Sequence, residues 1–134
     1  MPHSSPDVTD AELAVLQVLW AQGACNRRQI TDALYPGGGP AHYTTVQKLL
    51  DRLEQKGYVR KDSSREVRTF TATLGREDFI GLRLQDMADR LCGGALTPLL
   101  MNLARSTPLR PGEVEELRGL IEASRKARRK GDRR

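Results

Sequence analysis

Residues 43–73, YTTVQKLLDRLEQKGYVRKDSSREVRTFTAT, change their hydrophobic period half-way, and that change decides the fold. Up to Lys56 the apolar residues Val46, Leu49, Leu50 and Leu53 recur at i, i+3, i+4 and i+7, which predicts an amphipathic helix over 43–56. Gly57 follows, a residue suited to a left-handed C-terminal cap. Beyond it, YVRKD and VRTFTAT are rich in β-branched and aromatic residues. With the polar Ser63, Ser64 and Arg65 between them, they predict a two-stranded hairpin.

Upstream of this stretch, Thr9 and Glu12 are spaced as a capping box, and Leu13, Leu16, Leu19 and Trp20 then share one side of a helix that Gly23 ends. Asn26 and Gln29 repeat the capping spacing and open a short helix through Ile30 and Leu34. The run PGGGP at 36–40 breaks it. That run has neither a GxxxxGK pattern nor a preceding strand, so it reads as a connector rather than a phosphate-cradling loop. Three short helices followed by a hairpin is the layout of a winged helix-turn-helix.

Downstream, residues 77–91 are helical in pattern, with Ile80, Leu84, Met87 and Leu91 on one stripe. Gly93 and Gly94 interrupt it, Thr97–Pro98 starts a helix carrying Leu99, Leu100 and Leu103, and Pro111 opens a last helix with Val114, Leu117, Leu120 and Ile121. Helices this short rarely bury such stripes alone, so these residues, Leu100 aside, are expected to pair with a second copy of the chain; the alternative is packing back onto the same chain. The expected fold class is mainly α with a small β-hairpin, a winged helix-turn-helix plus a C-terminal helical dimerisation region. The expected order is a flexible N-terminus at 1–8, the winged domain at 9–74, the dimerisation region at 75–123 and a disordered basic tail at 124–134.

Charge is unevenly placed. The net charge is +5, yet the last ten residues, RKARRKGDRR, hold seven Lys/Arg against one acid, and residues 42–76 hold eight against four. The second excess lies on the predicted helix and hairpin, which makes that surface a candidate phosphate-contacting face. The helix face opposite its apolar stripe presents Thr44, Lys48, Asp51 and Gln55, with Gln47 and Arg52 on the flanks. Thr44 and Thr45 are small enough to let a helix approach base edges, Tyr43 is bulkier than that, and Gln47, Lys48 and Arg52 are longer donors. Arg27 and Arg28 start the second helix within reach of a backbone, and Arg65 and Arg68 sit on the hairpin. The expected DNA-contacting set is Arg28, Tyr43, Thr44, Thr45, Gln47, Lys48, Arg52, Arg65 and Arg68. Asp51 is awkward beside phosphate, and its two readings are an acceptor for a cytosine amino group or a partner that orients Arg52.

Nothing assembles an enzyme. The two histidines, His3 and His42, have no partners at metal-ligand spacing, and Cys25 and Cys92 form neither a CxxC pair nor a disulfide framework. Glu113, Glu115, Glu116 and Glu122 read as the solvated face of the last helix. No catalytic residue, cofactor or metal is expected. The most apolar run, 95–104, is broken by Thr97, Pro98 and Asn102, and the start MPHSSPDVTD lacks the features of a signal peptide. The expectation is a soluble cytoplasmic protein. Two rival readings stand beside a DNA-binding repressor: a ligand-sensing winged-helix regulator, and a protein-interaction winged domain without specific DNA binding.

The segments TDAELAVLQVLW, TTVQKLLDRLEQKGYVRK, DRLCGGALTPLL and EVEELRGLIE, in that order, resemble the bacterial penicillinase repressors, a family that includes the methicillin-resistance repressor and copper-responsive members. The resemblance runs from about Thr9 to Ala123. It implies a homodimeric transcriptional repressor whose winged helix reads an inverted-repeat operator and whose C-terminal helices join the subunits. Thr44, Thr45 and Arg52 match the family's recognition-helix pattern, and Arg65 falls where the family places its wing. In β-lactam-responsive members a membrane metalloprotease sensor signals cleavage of an Asn–Phe bond in the dimerisation region. The matching bond here is Asn102–Leu103, with Leu in place of Phe. The paired CxC motifs of the copper-responsive members are absent from this chain.

Overall fold

A computed structural model describes residues 6–132 of the chain. In chain order the elements are α1 (Asp10–Gln22), β1 (Cys25–Asn26), α2 (Arg27–Leu34), α3 (Pro40–Lys56), β2 (Val59–Asp62), β3 (Thr69–Ala72), α4 (Arg76–Leu91), α5 (Thr97–Ser106) and α6 (Pro111–Asp132). Both expected capping boxes form: Glu12 N donates to Thr9 Oγ1 at 3.1 Å and Thr9 N to Glu12 Oε1 at 2.9 Å, while Gln29 N and Asn26 N donate to the reciprocal side chains at 2.8 Å. Helix α3 starts at Pro40, earlier than its apolar stripe suggests, because proline at the first helical position gives up only an N–H that no helical carbonyl would receive. It ends at Gly57, whose φ of 88° places it in the left-handed region, with Tyr58 N donating to Leu53 O at 2.9 Å.

The expected hairpin is part of a three-stranded antiparallel sheet in the order β1-β3-β2. β1 pairs Cys25 with Phe70 and Asn26 with Thr69, and β2 pairs Val59 with Ala72 through to Asp62 with Thr69. This register turns Phe70 inward. One core forms from Val15, Leu16 and Leu19 of α1, Ile30 of α2, the whole α3 stripe, and Cys25, Tyr58, Val59 and Phe70 around the sheet. The three helices and their winged sheet are therefore assembled as expected.

Two compact units are present, Met1–Gly94 and Ala95–Arg134. The division falls after α4, past the boundary expected at residue 74. The reason is Phe79, which is buried and packs its ring 5.3 Å from that of Trp20 and 5.4 Å from that of Tyr58. Trp20 Nε1 also donates to Leu74 O at 3.0 Å, fixing the chain as it leaves β3. The expected stripe of α4 is the exposed one: Ile80, Leu84, Met87 and Leu91 face outward, about 100° around the helix from Phe79, Arg83, Asp86 and Arg90.

Two terminal expectations change as well. Of the segment 1–8, expected to be flexible, residues 1–5 lie outside the described region, but Pro6 and Asp7 are engaged. Pro6 O accepts from Tyr58 Oη at 2.7 Å, Asp7 O from Lys56 Nζ at 2.7 Å, and the Asp7 carboxylate pairs with Arg83 at 2.7 Å and Arg90 at 3.8 Å. The basic tail expected to be disordered continues α6 as far as Asp132, since alanine, lysine and arginine are strong helix formers; residues 133–134 lie outside the described region.

In the second unit, α5 has no buried residue: Leu100 and Leu103 are exposed and Leu99 is half-buried. On α6, Leu117, Leu120 and Ile121 are exposed and Val114 is half-buried.

Candidate nucleic-acid interface

A cationic surface of the winged unit is built from the start of α2, the outward face of α3 and the β2–β3 loop. Asn26, capping α2, fixes where Arg27 and Arg28 leave the helix. The fully buried stripe Val46, Leu50 and Leu53 fixes which face of α3 looks outward. A cleft of about 480 Å³ lies where these parts meet, lined by Arg27, Arg28, Tyr43, Gln47 and Arg68 among others. A second cleft of about 500 Å³ reaches the first turn of α3 past Arg28, Gly39, Tyr43 and Thr44.

Five of the expected site residues, Arg28, Tyr43, Thr44, Gln47 and Arg68, thus line one or other of these adjoining clefts. Thr45, Lys48 and Arg52 are exposed on α3, and Arg65 is exposed in the loop of the wing. Lys48 and Arg52 carry no ion pair among the described residues. Thr44 and Thr45 use their hydroxyl protons on their own helix, donating to Pro40 O at 3.2 Å and Ala41 O at 3.1 Å. What remains free on each is an acceptor oxygen and a methyl group. At the wing, Ser64 N donates to Asp62 Oδ1 at 2.9 Å. The hydrogen bonds from Ser64, with Arg65 and Arg60 nearby, hold the Asp62 carboxyl below its ordinary range.

Within the protein, Asp51 is hydrogen-bonded to Gln47. Its Oδ1 accepts from Gln47 Nε2 at 2.8 Å, and Gln47 Oε1 accepts from Arg27 Nη1 at 3.1 Å. The Arg27 guanidinium also lies 4.5 Å above the centre of the Tyr43 ring. The i, i+4 spacing of Gln47 and Asp51 was the available sequence signal for the first contact. The α2–α3 contact had none, because it spans a turn whose geometry only the core sets. His42 stacks on Tyr35 with ring centroids 4.4 Å apart, across the α2–α3 connector.

The penicillinase repressor family model matches residues 8–123. The chain belongs to the penicillinase repressor family. It is a DNA-binding transcriptional repressor with a winged helix. It is similar to the penicillinase repressor of Bacillus licheniformis, 26% identical over 117 residues that cover 87% of this chain and 91% of that one. It is also similar to the Methicillin resistance regulatory protein MecI of Mammaliicoccus sciuri, 18% identical over 90% of this chain and 98% of that one. Among solved structures, the DNA-binding domain of the repressor BlaI matches with a TM-score of 0.46 at 26% identity, over 55% of this chain and 89% of that one. A MarR family protein from Bacillus stearothermophilus matches with a TM-score of 0.47 at 18% identity, over 92% of this chain and 74% of that one.

The Asn102–Leu103 bond lies inside α5, in helical backbone, with Asn102 O accepting from Ser106 Oγ at 2.8 Å. Among the described residues, no helix is long and apolar enough to cross a membrane.

Proposed function

We propose that this penicillinase repressor family member acts in the bacterial cytoplasm as a homodimer, placing one winged helix on each half of an inverted-repeat operator and excluding transcription there. In this reading α3 enters the major groove. Thr44, Thr45 and Gln47 face base edges, and Lys48 and Arg52 reach guanine or phosphate. Arg27 and Arg28 approach the backbone beside Tyr43, and Arg65 and Arg68 of the wing reach phosphate or the minor groove. The observation that carries the reading is the outward face of α3, where unpaired Lys48 and Arg52 adjoin clefts lined by Arg27, Arg28 and Arg68.

The second copy is supported by the apolar residues left uncovered. Ile80, Leu84, Met87, Leu91, Leu103, Leu117, Leu120 and Ile121 are all exposed, and with Leu99 and Val114 they are the residues we assign to contact with a second copy. Joining two modest half-site contacts makes the second one effectively intramolecular, so whatever weakens the dimer releases DNA without touching the reading residues. Cleavage at Asn102–Leu103, signalled by a membrane metalloprotease sensor, is one such route, and it requires local unwinding of α5 because proteases take extended chain.

The test is a gel-shift titration at about 150 mM salt, near physiological ionic strength, comparing DNA upstream of the protein's own gene with random DNA of equal length. A preference of about a thousandfold or more with a two-fold-symmetric footprint supports the operator-binding dimer. Equal weak binding to both overturns it in favour of a protein-interaction domain.

A further inference from the structure

The side chains of Arg27, Gln47 and Asp51 form a chain in which the amide of Gln47 is held at both ends. Its oxygen accepts from Arg27 Nη1 at 3.1 Å, and its nitrogen donates to Asp51 Oδ1 at 2.8 Å. Turned over, the amide would set N–H against the guanidinium and oxygen against the carboxylate, losing both bonds and creating two repulsive contacts. The neighbours therefore permit one orientation only. Arg27 is held in turn by its place over the Tyr43 ring, 4.5 Å from the centroid, and by standing at the first position of the capped helix α2.

Each end of the amide keeps one capacity. The oxygen has a second lone pair and the nitrogen a second proton. An acceptor and a donor side by side match the major-groove edge of adenine, whose N6 amino group donates and whose N7 accepts. Guanine offers two acceptors there, thymine a single acceptor beside a methyl group, and cytosine a donor without the neighbouring acceptor. A glutamine free to turn over would lose part of this selectivity to the entropy of ordering its side chain.

We propose that Asp51 and Arg27 are positioning residues that lock the Gln47 amide to read adenine, so that each operator half-site carries an A·T pair where Gln47 meets it. This gives Asp51 a purpose on a face that otherwise favours cations. The inference rests on the reading that α3 enters the major groove, and the experiment separates the two.

The full-length protein is used to select sites from a synthetic duplex library, and the selected site is then varied at every position in competition gel shifts. Wild type is expected to prefer adenine about five- to hundredfold at one position of each half-site, the range of a good bidentate contact. Gln47→Ala abolishes that preference at that position and leaves the others. Asp51→Ala lowers it about threefold or more at the same position, and Asp51→Asn, which keeps an oxygen to accept from Gln47, restores it. A merely structural Asp51 would instead weaken binding to every sequence alike. An adenine preference that survives Gln47→Ala or Asp51→Ala overturns the inference while leaving α3 as the reading helix. The inference is equally overturned if Gln47→Ala alters the choice of a different base. If wild type selects no site, the reading of α3 fails and the inference fails with it.

Discussion

Lys56 Nζ stands 2.7 Å from Glu12 Oε1, joining the last turn of α3 to the first turn of α1. The Glu12 side chain has no exposed surface while that of Lys56 is 28% exposed, so the ammonium is what closes the buried carboxylate off from water. Glu12 Oε1 also accepts from Thr9 N, whereas Oε2 has no hydrogen-bond partner among the described residues. Removing the lysine strands a buried charge. Lys56→Met is expected to lower unfolding free energy by about 3 kcal/mol, the cost of breaking a buried pair from one side. Glu12→Gln strands none and is expected to cost about 1 kcal/mol. Urea titrations measure both, and equal losses for the two variants would contradict the account.

The same carboxylate predicts an acid limb of stability. Burial opposes its charge, but the bonds from Lys56 and Thr9 outweigh burial and hold Glu12 below its ordinary value of 4.5. A group whose folded value is depressed contributes stability that is fully present above the unfolded value and is lost as pH falls through the folded one. The stability difference between wild type and Glu12→Gln should therefore be constant from neutral pH down to about 5 and shrink below 4.5. Urea melts at stepped pH check this; a difference that grows with acid would reverse the sign.

Phe79 packs α4 against the winged core, beside the contacts of Arg83 and Arg90 with Asp7. Phe79→Ala is expected to cost about 3–5 kcal/mol, the range for emptying a buried aromatic site. Because the chain has one tryptophan, Trp20, and Phe79 packs against it, its fluorescence reports the loss directly. A red-shifted emission in the folded variant is expected, and an unmoved spectrum would mean that the Trp20 pocket stays closed without the phenyl ring.

Leu120 is 62% exposed on α6. If a second copy covers it, Leu120→Lys converts the dimer to monomer in sedimentation and lowers operator affinity about a hundredfold or more through lost effective concentration. A variant that remains dimeric removes this face from the proposed interface.

Residues 125–134 carry seven Lys/Arg and one acid. Deleting them is expected to flatten the salt dependence of DNA binding by about 0.9 in log–log slope for each phosphate they neutralise. An unchanged slope excludes the tail from the complex.

Much of this architecture was legible locally. The stripe Val46, Leu49, Leu50 and Leu53 and both capping boxes lie within a turn or two of chain, where backbone geometry alone dictates which residues share a face. Tyr43 and Gln47 lie on the side of α3 away from its buried stripe, which the helical period alone dictates; that Arg28 of α2 and Arg68 of the wing join them at one cleft was not legible, because the core brings those elements together. Less visible was β1, two residues long and without periodicity, which exists because Phe70 and Thr69 offer a free edge. Nor did the pattern of α4 reveal its role. Its most regular stripe is exposed, and the residues beside that stripe, Phe79 above all, with Arg83 and Arg90, do the anchoring.

By itself, then, the sequence determined the winged helix-turn-helix, its cationic helix and hairpin, and the apolar stripes of the C-terminal helices, since each follows from period, capping and charge along a continuous segment. Only the tertiary structure decided that Pro6 and Asp7 are tied down by Tyr58, Lys56 and Arg83, that α4 belongs with the winged unit, and that Arg27, Gln47 and Asp51 form one chain of bonds. These relations, apart from the i, i+4 bond of Gln47 to Asp51, join residues distant in sequence. Their meeting depends on how the core orients whole elements, which no local propensity encodes.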